Sequence, residues 1–183
     1  MKNVNDDLRE ATENGNEALI KTLLLETQCN PKDADSRGRT ALMYAAENGH
    51  MSCVQLLLPV SDVLAKDEDG LTALICAAAN GNTSCLDLLL LVGDALAKDR
   101  DGWSALMCAT TYGRSLCVQL LLPVSDCSAR NRQGKTASDI ALVYGYPELG
   151  RLIDAYALSV AERTLLDSST ASATARKPHS LRV

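Results

Sequence analysis

Apolar side chains in this chain form short stripes with helical spacing, and the stripes come in pairs. The apolar positions of one such pair, within residues 38–62, are Leu42, Ala45, Ala46, Cys53, Val54, Leu56 and Leu57. Because residues three and four apart share a face of a helix, each stripe predicts a short amphipathic helix. Thr40 is a good N-cap before the first helix, Gly49 can adopt the positive φ that ends it, and Pro59 ends the second helix. The pattern therefore predicts a helix–turn–helix unit.

The same unit returns at intervals of 32 residues, with glycine at positions 38, 70, 102 and 134 and again at 49, 81, 113 and 145. The string CVQLLLPVSD occupies Cys53–Asp62 and recurs unchanged at Cys117–Asp126. Helices of about two turns are not stable alone in water. The repeat therefore predicts units that stack on one another and share a continuous core.

The unit, with D-x-x-G-x-T-A-L at its front and A-A-x-x-G-H before a leucine run, resembles the ankyrin repeat over residues 6 to 157 or so. The resemblance implies an all-α repeat solenoid, made of ankyrin-type stacked helix–turn–helix units joined by β-hairpin-like loops. The unit departs from the family pattern in having Ala41 and Met43 where the family has Pro and His. Polar Ser138 and Asp139, at core positions of the inner units, suit a terminal repeat whose outer face meets water.

The predicted boundaries follow the repeat. They are a divergent N-terminal capping repeat at 1–34, three well-matched repeats at 35–66, 67–98 and 99–130, a C-terminal capping repeat and helix at 131–167, and a disordered tail at 168–183.

Composition and charge narrow the classes of function. The chain has no Phe and one Trp, so its core must be aliphatic, and its net charge of -5 argues against nucleic-acid binding. The N-terminal residues MKNVNDDLRE lack an apolar signal segment, and the longest apolar run, at 86–93, is far shorter than the ~18 residues of a membrane span. We expect a monomer in the cytoplasm, with the nucleus as an alternative, and no membrane insertion.

Candidate chemistry is sparse. Cysteines recur at positions 53, 85 and 117 without a C-x-x-C pair, which predicts small buried side chains in a reducing compartment rather than a zinc site. Gly134-Lys135-Thr136 lacks the first glycine of a phosphate-binding loop, because position 129 is Ala. The acidic residues at 67–69, 99 and 101 lack the ligand spacing of a calcium loop and are interpreted as a solvated rim. We expect no catalytic residues, no metal and no cofactor, and therefore no enzyme.

A partner surface is implied by the resemblance, which places binding on a concave face made of hairpin tips and first helices. Positions 39, 71, 103 and 135 hold Arg, Leu, Trp and Lys, as expected of sites that the core does not constrain. Leu71, Trp103 and Tyr112 are the predicted central contact, the alternative being that Trp103 only packs on the neighbouring hairpin. The candidate partner-binding residues are Arg39, Glu47, Asn48, Leu71, Asn80, Trp103, Thr111, Tyr112 and Lys135.

The predicted function is a non-catalytic protein–protein interaction module, an adaptor or scaffold that binds another protein through this face. Two alternatives remain open. A competitive regulator or inhibitor of a partner enzyme such as a kinase would use the same surface. A structural protein would self-associate.

Overall fold

The computed structural model describes residues 3–26 and 28–174, and within these ranges the chain is a stack of helix pairs. The helices are α1 (Val4–Glu13), α2 (Glu17–Glu26), α3 (Ala41–Asn48), α4 (Met51–Leu57), α5 (Ala73–Asn80), α6 (Thr83–Leu90), α7 (Ala105–Thr111), α8 (Ser115–Leu121), α9 (Ala137–Val143) and α10 (Pro147–Thr174). A 3₁₀ turn at Leu122–Val124 follows α8. The predicted all-α repeat solenoid is confirmed. No helix in the described ranges combines the length and apolarity needed to cross a lipid bilayer.

The first helix of each pair, which we call the inner helix, is capped at its N-terminus by a hydroxyl side chain in α3, α5, α7 and α9. Each accepts a hydrogen bond from the backbone N–H three residues later, at 3.2 to 3.4 Å; the four caps are Thr40, Thr72, Ser104 and Thr136. Gly49 and Gly81 end α3 and α5 in the left-handed conformation, with φ of 75° and 81°. Because a cap satisfies backbone groups that a short helix leaves unpaired, it matters most in helices as short as these.

The helices form two layers that share one core. The odd-numbered helices α1 to α9 pack on one another in sequence, and the even-numbered helices α2 to α8 form a second row behind them. Leu42, Leu74 and Leu106, which are equivalent in the repeat, are all buried in one continuous cluster. Each layer therefore stabilises the next, as the 32-residue pattern predicts.

The hairpin tips that precede α3, α5, α7 and α9 are linked into a ladder. At each tip one side-chain oxygen accepts backbone N–H bonds from residues two and four positions ahead, and the residues that do so are Asp35, Asp67, Asp99 and Asn131. Neighbouring tips are joined by backbone bonds of 2.8 to 2.9 Å, from Glu68 N–H to the Arg37 carbonyl, Arg100 to Asp69, and Arg132 to Asp101. Side chains on the tips are consequently held in register along the stack.

A second set of hydrogen bonds, which the sequence does not predict, joins the second or outer helix of a pair to the repeat before it, at the start of α4, α6 and α8. His50 Nε2 lies 3.0 Å from the Glu13 carbonyl oxygen. At the equivalent positions, Asn82 donates to the Ala46 carbonyl at 2.8 Å and Arg114 Nε donates to the Ala79 carbonyl at 3.2 Å. These side chains contact carbonyl groups in the last turn of the preceding inner helix, where the helix itself supplies no further N–H donors.

The C-terminal end differs from prediction in two respects. Helix α10 reaches Thr174, past Asp167, so residues 168–174 of the predicted disordered tail are helical. The remainder of that tail, 175–183, lies outside the described residues. Ser138 is buried and its hydroxyl donates to the Gly150 carbonyl at 3.4 Å, so it contacts α10 and not water. Asp139 is exposed, as predicted for the outer face.

Candidate partner-binding groove

A groove runs between the hairpin tips and the C-terminal ends of the inner helices, and its volume is about 570 Å³. We call this feature the groove, and its lining residues fall into three sets. The tips contribute Leu71, Asp99, Asp101 and Trp103; the floor consists of Ile75, Cys76, Ala79 and Cys108; and the far side and ends consist of Glu47, Asn80, Thr111, Tyr112, Arg114 and Tyr144. The groove therefore draws on every repeat between 35–66 and the C-terminal cap.

Small side chains explain why the groove opens at the repeats 67–98 and 99–130. In the repeat 35–66, the Arg39 guanidinium lies 4.5 Å above the centre of the Tyr44 ring and forms an ion pair with Glu47. The two following repeats have Cys76 and Cys108 where the first has Tyr44. Position 47 similarly becomes Ala and then Thr. These smaller side chains leave open space over α5 and α7. In the repeat 35–66 the side chains of Arg39, Tyr44 and Glu47 occupy the equivalent space.

The two cysteine thiols of the groove floor are buried, and their pKa values are raised. Burial, followed by the charge of Asp99, raises the pKa of the Cys108 thiol to about 12. Burial raises the pKa of Cys76 to about 12, with the carboxylates of Glu47 and Asp67 adding to the effect and Arg39 opposing it. Because only the thiolate is a good nucleophile, these two cysteines are unreactive thiols at neutral pH and belong to the floor of the groove.

The other cysteines also have structural positions. Cys53, Cys85 and Cys117 are buried at equivalent sites of the outer helices, which confirms the prediction of small buried side chains. Burial raises the pKa of the Cys85 thiol to about 11. Within the described residues, no group of three or more His, Cys, Asp or Glu side chains is arranged to hold a metal ion.

The structure brings most of the predicted partner-binding residues together. Those that line the groove are Glu47, Leu71, Asn80, Trp103, Thr111 and Tyr112. Trp103 is partly buried and packs against the core cluster, while Tyr112 is 57% exposed. The two interpretations of Trp103 are therefore compatible, since one ring can pack on the fold and also line the groove.

Three predicted residues do not line the groove. Arg39 has a side chain only 17% exposed and is engaged by Glu47. Burial acts against its charge, but the hydrogen bond and charge of Glu47 raise the pKa of Arg39. Asn48 donates its side-chain amide to the Tyr44 carbonyl at 3.0 Å, and Lys135 lies on the tip before α9.

Several lining residues escaped the sequence-based choice of partner-binding residues. Asp99 and Asp101, interpreted as part of a solvated rim, line the groove. Cys76 and Cys108, which lie 32 residues apart at equivalent positions of two repeats, also line it. The available signal was the change from Tyr44 to cysteine at one fixed position of the repeat.

The described residues thus form a repeat protein, a stack of two-helix units with a groove across its hairpin tips. The family model for ankyrin repeats, in three copies, matches residues 8–99 and 90–159. The chain belongs to the ankyrin-repeat family, whose members are generally protein–protein interaction modules and typically non-catalytic. No curated protein matches the chain.

Proposed function

We propose that this protein is a non-catalytic adaptor or scaffold that binds a partner protein in the groove. The observation that supports this function is the change in side chains along the groove. Core positions keep one residue type from repeat to repeat, whereas the tip position changes from Arg39 to Leu71, Trp103 and Lys135. Such variation on a rigid ladder of tips suits selective recognition of one partner.

The chemistry of the lining supports a protein ligand. Trp103, Tyr112 and Tyr144 supply aromatic area, and Tyr and Trp are enriched among the residues that dominate binding energy at protein interfaces. The backbone at these residues is fixed by the tip before α7 and by the ends of α7 and α9, so little backbone ordering is required when a partner binds. All seven cysteines are free thiols, which supports a reducing compartment, the cytoplasm or the nucleus. We propose that the protein acts as a monomer.

Crosslinking affinity purification from the native cell tests this function. We expect wild-type protein to capture a specific partner, and we expect the double variant Trp103→Ala, Tyr112→Ala to lose it. Truncation of two central aromatic contacts costs about 2 kcal/mol or more, which corresponds to at least a roughly 30-fold loss of affinity. Circular dichroism and urea unfolding verify that the variant remains folded.

The matched control is the double variant Leu91→Ala, Leu116→Ala, which removes two exposed apolar side chains that lie away from the groove. This control should capture the partner as well as wild type does. A partner that is retained by the Trp103, Tyr112 variant and lost by the control would place binding elsewhere on the chain and contradict the proposal.

A further inference from the structure

The repeat 35–66 contains its own bound cation. Arg39 stacks on Tyr44 and pairs with Glu47, and this arrangement occupies the corner between the tip and the end of α3. An arginine that lies over an aromatic face beside a carboxylate gains cation–π attraction and a charge-assisted hydrogen bond together. In this repeat a guanidinium from the chain itself, that of Arg39, therefore lies between an aromatic ring and a carboxylate.

The corner of the repeat 99–130 has no equivalent of Arg39, Tyr44 or Glu47, because these positions hold Trp103, Cys108 and Thr111, and its aromatic and acidic groups come from other positions of the repeat. Trp103 occupies the position of Arg39, and Tyr112 lies at the end of α7. Asp99 and Asp101 line the same part of the groove. Asp99 uses Oδ1 to hold the tip, by accepting from Asp101 N–H at 2.9 Å and Trp103 N–H at 2.8 Å.

The existing counter-charges leave this corner acidic. Arg132 approaches Asp101 at 3.4 Å, but both side chains are more than two-thirds exposed, and an ion pair of this kind contributes little. Among the lining residues, the carboxylates of Glu47, Asp99 and Asp101 face a single guanidinium, that of Arg114. Glu47 is already paired with Arg39, so the surplus of negative charge is concentrated at Asp99 and Asp101.

Helix ends add to this negative field. Asn80 and Thr111, which line the groove, are the last residues of α5 and α7. The C-terminal end of a helix carries about half a negative elementary charge. Arg114 illustrates the attraction, because its Nε donates to the Ala79 carbonyl in the last turn of α5 at 3.2 Å.

We propose that the partner inserts an arginine or lysine side chain into the groove, against the rings of Trp103 and Tyr112, with its charge directed at Asp99 and Asp101. This inference rests on the proposed function, because it specifies the chemistry of the protein segment that the groove binds. The aliphatic stem of the inserted side chain packs beside Leu71, and its charged end makes the same two kinds of contact, with an aromatic ring and a carboxylate, that Arg39 makes in the repeat 35–66.

Selection from a random peptide library displayed on phage, with the full chain as bait, tests the inference. We expect the selected peptides to share an arginine or lysine flanked by apolar residues. Replacing that residue with norleucine, which keeps the stem and removes the charge, should weaken binding at least about tenfold. Affinity should also fall as salt is raised, because exposed charges are screened.

The matched protein variant is Asp99→Asn, Asp101→Asn. Asparagine at position 99 retains the tip, since Asn131 makes the same two backbone bonds in the last repeat, at 3.0 Å each. This variant should bind the selected peptide at least about tenfold more weakly, and should bind the norleucine peptide as wild type does. The control variant Asp94→Asn, Asp126→Asn removes the same number of charges from loops outside the groove and should leave both affinities unchanged.

The outcomes separate the two proposals. Peptides that lose affinity in the Trp103→Ala, Tyr112→Ala variant, but share no cationic residue and do not respond to Asp99→Asn, Asp101→Asn, would overturn the inference and leave the groove as the binding surface. A library that enriches no peptide sensitive to Trp103→Ala, Tyr112→Ala would count against the proposed function, and the inference would fail with it.

Discussion

Replacing Leu106 with alanine is expected to lower the free energy of unfolding by about 3–5 kcal/mol, near the upper end of the range for buried leucines. Leu106 is 0% exposed and lies in α7, which packs between α5 and α9. Neighbouring helices are held by their own caps and tip bonds, so they cannot collapse into the space that the lost side chain leaves. The cost therefore includes a residual cavity as well as the lost transfer free energy.

A second leucine in the same repeat provides the control. Leu116 lies on α8 and is 64% exposed, so Leu116→Ala should change stability by no more than about 0.5 kcal/mol. Urea unfolding followed by circular dichroism measures both variants. Equal losses from the two substitutions would show that α7 is not a central layer of the core, contrary to the packing described above.

Replacing Gly70 with alanine is expected to cost about 2–4 kcal/mol, through two separate effects. Gly70 has φ of 83°, a conformation that costs a residue with a side chain about 1–2 kcal/mol. A Cβ atom at Gly70 would also lie 2.9 Å from the Arg100 backbone nitrogen on the next tip. Arg100 N–H donates to the Asp69 carbonyl at 2.8 Å, so the backbone can yield only by stretching a bond of the tip ladder.

The equivalent glycine of the last repeat separates these effects. Gly134 has φ of 74°, and nothing lies within 4 Å of the place where its Cβ would be. Gly134→Ala should therefore show only the conformational cost, about 1–2 kcal/mol, and Gly70→Ala should exceed it. If the two variants unfold at the same urea concentration, the tips do not pack on one another as tightly as the ladder requires.

The architecture could be predicted because its causes repeat along the chain. Thr40, Thr72 and Ser104 mark helix starts at one interval, and Gly49 and Gly81 mark helix ends at the same interval. Each signal is local and physical, a side-chain cap or a positive φ, and its recurrence makes chance agreement negligible. The longer α10 had no such signal, because the serine and threonine residues after Asp167 are weak helix formers.

The groove was predictable only in part, because its shape depends on contacts between repeats. Variation at the position shared by Leu71 and Trp103 identified two residues that line the groove. Arg39 occupies the same position but is engaged by Tyr44 and Glu47, an arrangement that depends on side-chain conformations as well as on the repeat pattern. The floor arises where Cys76 and Cys108 lie side by side, and this proximity follows from stacking.

The central claim is that the groove is the surface that contacts the partner, and hydrogen–deuterium exchange of the chain with and without the captured partner tests it most directly. We expect slower exchange at the tips 67–71 and 99–103 and in the last turns of α5 and α7, with the outer helices unchanged. Protection confined to α4, α6 and α8, or to α10, would contradict it.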